Sequence, residues 1–317
     1  MSAWQRLDRR LRLMRENRWF RVSAYAVIVL LFAGFVGYRL SGDWRQLAEV
    51  RVRVNPSYLL VAWAVLGVYM ILFLLGWHGI VTALGGSRDW RRNTLVYCYT
   101  YLARLLPTPL PFLASRVEAS DRLGLRKRQS LHATGLELGL RALTGVALLA
   151  VLELVRHGRW GYVAVVAASL VLAYAGGLFQ RVGLLPAKPR SRMAAVSSGL
   201  YLGATWVVAG PFLQAVVRAF LPASLDLWDA WRVSLIAGLL SDVGFLLLGG
   251  SGLVRDLSLS ALLTGFFSPA EALIVAVGVR LVLMVSTLSW MVGIALLIRL
   301  TQAFGVDTHQ REVERDD

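Results

Sequence analysis

The sequence predicts an all-α polytopic membrane protein, with about six spanning helices plus two re-entrant helical hairpins in an inverted repeat. Three observations carry that prediction. Hydrophobic residues make up 57% of the 317-residue chain and charged residues 17%, with a mean hydropathy of +0.59. A soluble domain of this size has no way to cover so much apolar surface. The apolar residues fall into several runs of about 20, the length needed to cross a bilayer. Two further segments are apolar yet broken, one by prolines and one by glycines, at places 139 residues apart.

In chain order, residues 1–21 read as a basic amphipathic arm with seven arginines. The first span is expected at 22–40. It is too long for a signal-peptide core and lacks a small-residue cleavage site after it, so it is read as a retained helix. A mixed-charge connection covers 41–56, and the second span covers 57–84. The loop "GGSRDWRRN" follows, and then the first broken segment, 94–116. Within it "LARLLPTPLPFLASR" places Pro107, Pro109 and Pro111 in five residues. Each proline lacks a backbone donor and clashes with the preceding turn, so no single helix is expected to run through. Spans at 130–155, 160–180 and 193–220 come next, the last two separated by "RVGLLPAKPRSR". The second broken segment is expected as an irregular region over 228–266, with Gly249, Gly250 and Gly252 permitting a tight turn. A final span at 269–299 precedes the polar tail 301–317. The whole of 22–300 reads as one membrane domain.

The basic residues test this map. With both termini cytoplasmic and neither broken segment crossing, 22 of the 34 basic residues fall inside and 8 outside. That is the bias of the positive-inside rule. The net charge of +15 is therefore read as topology and contact with anionic lipid, not as a nucleic-acid surface. Cys98 is the single cysteine, which excludes an intramolecular disulfide and a cysteine zinc site. His78 and His132 stand alone, so no metal site is expected. Trp63, Trp77, Trp160, Trp206, Trp228, Trp231 and Trp290 lie mostly near predicted helix ends and are read as interfacial anchors. Glycine and alanine in the later spans are read as close-packing residues.

The repeat appears in the arginines as well as in the element order. Arg116 and Arg141 are 25 apart, Arg255 and Arg280 are 25 apart, and both offsets between the pairs are 139. The same shift moves 57–84 onto 196–223, the first broken segment onto the second, and 130–155 onto 269–294. The repeats are thus expected at about 57–155 and 196–294. Counting crossings makes them inverted, because 57–84 runs inward and 193–220 outward. Inverted repeats with discontinuous helices at matching positions point to a transport site near the midplane. Irregular backbone at membrane depth is tolerated where it is buried in protein or lines a wet cavity.

Ionisable residues inside membrane segments are costly and mark candidate sites. Arg104, Arg116, Arg141, Arg255 and Arg280 are the candidates for an anionic headgroup, since a guanidinium fork matches phosphate oxygens. Glu137, Asp242 and Asp256 are the supporting acids. Internal pairing is the alternative. Glu137 and Arg141 lie four apart on one helix face, Asp256 adjoins Arg255, and Arg116 and Arg255 can also snorkel to an interface. No catalytic residue set, P-loop or dinucleotide fingerprint stands out, so no enzyme activity and no cofactor are expected. Movement of a substrate would run downhill or on an ion gradient.

The motifs "YLARLLPTPLPFLASRVEASDRLGL", "LELGLRALTG" and "GGSGLVRDLSLSALL" with Arg280 resemble the flippase-like transmembrane domain of lysylphosphatidylglycerol synthases and their stand-alone relatives. Pro107, Arg116, Gly124, Glu137 and Gly145 match the first part of the family pattern. Thr108 stands where the family has glycine, Asp256 where it has glutamate, and the proline leading the second motif is absent. The resemblance covers about residues 20–300. It implies two re-entrant hairpins around a lipid-accessible cavity. It also implies movement of an anionic phospholipid, an aminoacyl-phospholipid or a lipid-linked precursor between leaflets of a cell membrane. The soluble aminoacyl-transferase domain of the full synthases is not expected in this chain. Two other readings are weighed. One is a non-transporting membrane partner that recruits a cytoplasmic lipid-modifying transferase through its basic arm and loops. The other is a polyprenyl-linked glycosyltransferase, for which Asp43 and Glu49 in a short connection are a poor match.

Overall fold

Asn55 shows how this chain starts its helices. Its side chain accepts a hydrogen bond from the Ser57 N–H at 3.1 Å, and Pro56 follows at a position where the missing N–H costs nothing. Helix α1 (Pro56–Ala83) runs from there. The computed structural model describes residues 54–103, 109–158, 192–248 and 251–316, with the backbone alone for 109, 110, 192, 246–248, 251, 253 and 302–316. The arm 1–21, the expected spans 22–40 and 160–180, most of the connection 41–56, and Arg104, Pro107, Gly249, Gly250 and Trp160 lie outside the described residues.

Seven more helices follow among those residues: α2 (Trp90–Leu102), α3 (Pro109–Glu118), α4 (Lys127–Arg156), α5 (Arg192–Phe220), α6 (Leu227–Leu248), α7 (Ser251–Leu263) and α8 (Pro269–Asp316). Four stretches are long and apolar enough to cross a membrane: Pro56–Ala83, Lys127–Arg156, Met193–Phe220 and Pro269–Thr301. They coincide with four of the six expected spans. On α8, Leu281, Val285, Leu288 and Val292 are all exposed. Their spacing of three and four places them on one helix face, an apolar stripe suited to lipid.

The broken segments depart from expectation in two ways. α2 stops at Leu102, ahead of the prolines. Pro109 and Pro111 lie in the first turn of α3, where no intrahelical partner would exist for their N–H groups, so these prolines begin a helix. The region 228–266 is not irregular. It is two helices, α6 and α7, with Gly252 inside the first turn of α7 and not in a tight turn. Capping explains the starts. Asp89 accepts from the N–H groups of Arg91 and Arg92 ahead of α2. Ser268 and Glu271 form a reciprocal capping box at α8.

α1 and α5 form the most extensive helix contact and run antiparallel. The Asn55 N–H donates to the Ala219 carbonyl at one end. Near the other, Gly76 and Gly79 of α1 accept Leu202 and Ser198 of α5 where a Cβ would collide. The remaining main contacts follow one scheme. α8 packs on α1 and α2, while α4 packs on α5 and α6. α3 lies on α4 and α7 on α8, and α1 touches α4 as α5 touches α8. Exchanging α1–α4 for α5–α8 reproduces that set.

Tryptophans join these helices. Trp77 and Trp206 are buried, not interfacial. Trp206 lies against Gly145 of α4 and Gly238 of α6, both too close for a Cβ. Trp290 of α8 fits against Gly67 and stacks on Trp63 with ring centroids 4.4 Å apart. Trp231 of α6 serves a backbone need. Pro211 sits within α5 and cannot donate to the carbonyl four residues earlier, that of Val207. The indole N–H of Trp231 donates to that carbonyl at 2.7 Å, and Gly210 leaves room for its ring.

Replacing Trp231 with phenylalanine should therefore cost about 1–3 kcal/mol, the penalty of leaving an apolar helix with one carbonyl unpaired plus a lost contact. In a Pro211→Ala background the helix supplies its own donor, so the loss should shrink by about half or more. Thermal unfolding of the four proteins in detergent checks this, and equal losses in both backgrounds would count against it.

Candidate functional site

Arg116 was expected to face a headgroup, but the structure closes it off. Its side chain has 0% exposure, and it pairs with Glu137 of α4 at 3.3 Å. Its guanidinium lies 3.6 Å from the Trp77 ring centroid and 4.5 Å from that of Tyr97, with Phe112 at 5.1 Å. Tyr97 donates its hydroxyl to the other Glu137 oxygen at 2.9 Å, and Ser130 donates to the Arg116 carbonyl at 2.7 Å. A charge removed from water needs an opposite charge and polar or π partners, and here both are supplied. This cluster ties α1, α2, α3 and α4 together.

Glu137 is thus engaged away from Arg141, and the expected pairing of the two on one helix face does not occur. Arg141 instead reaches Asp242 of α6 at 2.9 Å, with side-chain exposures of 10% and 3%. Its guanidinium lies 4.6 Å from the Trp206 ring centroid, while the Trp206 indole N–H donates to the Arg141 carbonyl at 2.8 Å. Trp206 so holds both ends of this residue.

Arg255 and Arg280 share one acid. Arg255 approaches Asp256 at 3.2 Å and Arg280 approaches it at 3.5 Å. The Arg280 guanidinium rests where a Cβ of Gly252 would be, which is what the glycine in α7 permits. These three side chains are less enclosed than the Arg116 cluster, at 26%, 11% and 28% exposure for Arg255, Asp256 and Arg280.

A half-open cavity of about 90 Å³ joins the two arrangements. Arg141 and Arg255 are the charged residues of its lining. Tyr69, Trp206, Phe212, Ser234 and Leu259 contribute to a wall that is otherwise mostly apolar. Arg116 and Arg280 do not line it, although Val279 and Leu283 of α8 do. Of the expected site residues, then, the fold brings Arg141, Asp242, Arg255, Asp256 and Arg280 to or beside one cavity and places Arg116 with Glu137 elsewhere. Pro111 lies in α3, and Arg104 lies outside the described residues.

Sequence reasoning missed Trp206, Tyr69 and Ser234 as cavity residues. None carried a signal, because an aromatic or a serine in an apolar helix looks the same facing lipid or facing a cavity. Among the described residues no group of three His, Cys, Asp or Glu side chains is placed to hold a metal. Compared with known proteins, no family model, no curated protein and no solved structure matches the chain.

Arg116→Ala should cost about 3–5 kcal/mol, because it leaves the Glu137 carboxylate buried without its cation. The companion Arg116→Met/Glu137→Leu, which removes both charges, should recover most of that loss. Folded yield and thermal unfolding in detergent measure both. A stable Arg116→Ala protein would overturn the structural role given to this arginine.

Proposed function

We propose that this protein is a flippase-like lipid transporter that moves a lipid with an anionic headgroup between the leaflets of a cell membrane. The observation that carries the reading is the pair Arg141 and Arg255, presented by α4 and α7 to one otherwise apolar cavity. A charged headgroup crossing a bilayer needs partners of opposite charge along the way, while its acyl chains need apolar surface. Guanidinium groups bind phosphate oxygens in a planar fork. Asp242 and Asp256 pair with those guanidinium groups. At Arg255 binding can exchange the carboxylate for a phosphate without leaving a bare charge, because Asp256 keeps Arg280 as its partner.

Two further features support the reading. The helix contacts reproduce themselves when α1–α4 are exchanged for α5–α8, as an inverted repeat of about 57–155 and 196–294 requires. Discontinuous helices at matching positions of such repeats are where transporters place their sites. Arg116, Glu137, Gly145, Arg255 and Arg280, from the motifs that resemble the flippase-like domain of lysylphosphatidylglycerol synthases, fall on α3, α4, α7 and α8, the helices that carry the paired arginines. The candidate substrates are an anionic phospholipid, an aminoacyl-phospholipid or a lipid-linked precursor, with both termini of the chain on the cytoplasmic side.

Arg255→Ala is the informative variant, because Asp256 keeps Arg280 as its partner and the fold keeps its charges paired. Native mass spectrometry with lipid identification should find an anionic lipid on the wild-type protein and about tenfold less on the variant, the worth of one charge-assisted contact. Movement of fluorescent phosphatidylglycerol in proteoliposomes should fall in parallel. The same bulk lipid on both proteins, with equal movement, would reject the reading.

A further inference from the structure

We propose that the seam between α4 and α6 is the gate of this cavity, and that two reciprocal salt bridges at its exposed end hold it shut. The inference rests on the transport reading above and adds where the cavity opens.

The two helices run antiparallel in a constant register. Arg141 meets Asp242, Gly145 and Gly238 receive the two sides of Trp206, and Leu152 and Leu235 share a buried apolar cluster with Trp206. Beyond that cluster each helix carries a carboxylate followed three residues later by an arginine, Glu153 and Arg156 on α4, Asp229 and Arg232 on α6. The antiparallel register makes each acid face the other helix's arginine. Arg232 Nε lies 2.8 Å from Glu153, and Arg156 lies 3.3 Å from Asp229.

The two ends of the seam differ in strength. Arg141 and Asp242 are nearly enclosed, and separating them would strand charge in an apolar interior. The outer bridges are wet, with side-chain exposures of 43% and 37% for Arg232 and Glu153 and 43% and 22% for Arg156 and Asp229. Ion pairs that open to water lose little when they part, because water takes over both charges. The seam can therefore splay from the outer end and turn about the buried pair. Arg141, Trp206 and Gly238 lie along the seam and also line the cavity, and Ser234 lines it from the side of α6 that meets α5, so parting the outer end uncovers it. The positions 139 residues away on α8 and α2 are Val292, Ala295, Trp90 and Asn93. They carry no such charges, so the clasp belongs to one of the two equivalent seams alone.

The test uses a full-length protein with Cys98→Ala and Ser234→Cys, whose one thiol then reports on the cavity. Arg156→Glu with Arg232→Glu puts four carboxylates at the clasp. It should raise the rate of labelling by a water-soluble maleimide about fivefold, the scale of two weak pairs turned repulsive. Adding Glu153→Arg and Asp229→Arg swaps every charge and should return the rate to its starting value. With the clasp unaltered, raising salt from about 0.05 M to about 1 M should also speed labelling, because screening acts on exposed pairs and spares Arg141–Asp242. Labelling indifferent to charge and to salt overturns the gate. Movement of fluorescent phosphatidylglycerol in vesicles of phosphatidylcholine and phosphatidylglycerol, measured on the same variants, separates the two claims. Labelling that follows the clasp without lipid movement keeps the gate and removes the transport function. Lipid movement with indifferent labelling does the reverse.

Discussion

A guanidinium taken into an apolar interior must bring its counter-charge with it, and that constraint organises this protein. The penalty for a stranded charge exceeds almost any packing gain, so the helices are arranged around the pairs. Arg116–Glu137 joins the α2–α3 segment to α4, Arg141–Asp242 joins α4 to α6, and Asp256 gathers Arg255 and Arg280 to join α7 with α8. The same chemistry divides their roles. Where aromatic faces and a tyrosine hydroxyl close over the pair, as around Arg116, the guanidinium is fully buried. Where the shell is open on one side, as at Arg255, the side chain stays about a quarter exposed and borders a cavity.

Close approach between helices is the second constraint, and it is met by pairing large rings with missing side chains. In a membrane there is little hydrophobic drive between helices, so contact area and interhelical hydrogen bonds decide which surfaces meet. Trp206 between Gly145 and Gly238, Trp290 against Gly67 and Trp231 against Gly210 all follow that rule. All three indoles also donate to a helix carbonyl, Trp290 to that of Trp63, so the ring that fills the gap fixes the register as well. Pro211 is the clearest case. The proline opens a hole in the hydrogen bonding of α5, and the hole becomes the attachment point for α6.

Much of this was legible in the sequence and some was not, for reasons that differ by residue. The spans at 57–84, 130–155 and 193–220 are read to within a few residues, because length and hydropathy are local properties. The core of the span at 269–299 reads equally well, though α8 continues well past it into the polar tail. Pro109 and Pro111 were correctly seen as incompatible with a helix interior, yet they begin a helix, because a first turn needs no donor at those positions. Trp77 and Trp206 looked like interfacial anchors because position along a helix says nothing about which face is covered. Glu137 and Arg141 satisfied the spacing rule for a pair on one helix. Each found a stronger partner on another element, Arg116 and Asp242, at sequence separations of 21 and 101.

Composition and periodicity alone determined that this is a helical chain suited to a membrane, where four of its long apolar helices run and which residues carry charge between and within them. Those are properties of the chain read along its length. Which charges meet was decided only by the tertiary structure. Pairing depends on the rotation of each helix about its axis, and that rotation is set by how glycines, tryptophans and the partner arginines of other helices fit together. The same arginine spacing in both halves therefore ends in different environments, one arginine sealed beneath three aromatic rings and its counterpart open to a cavity.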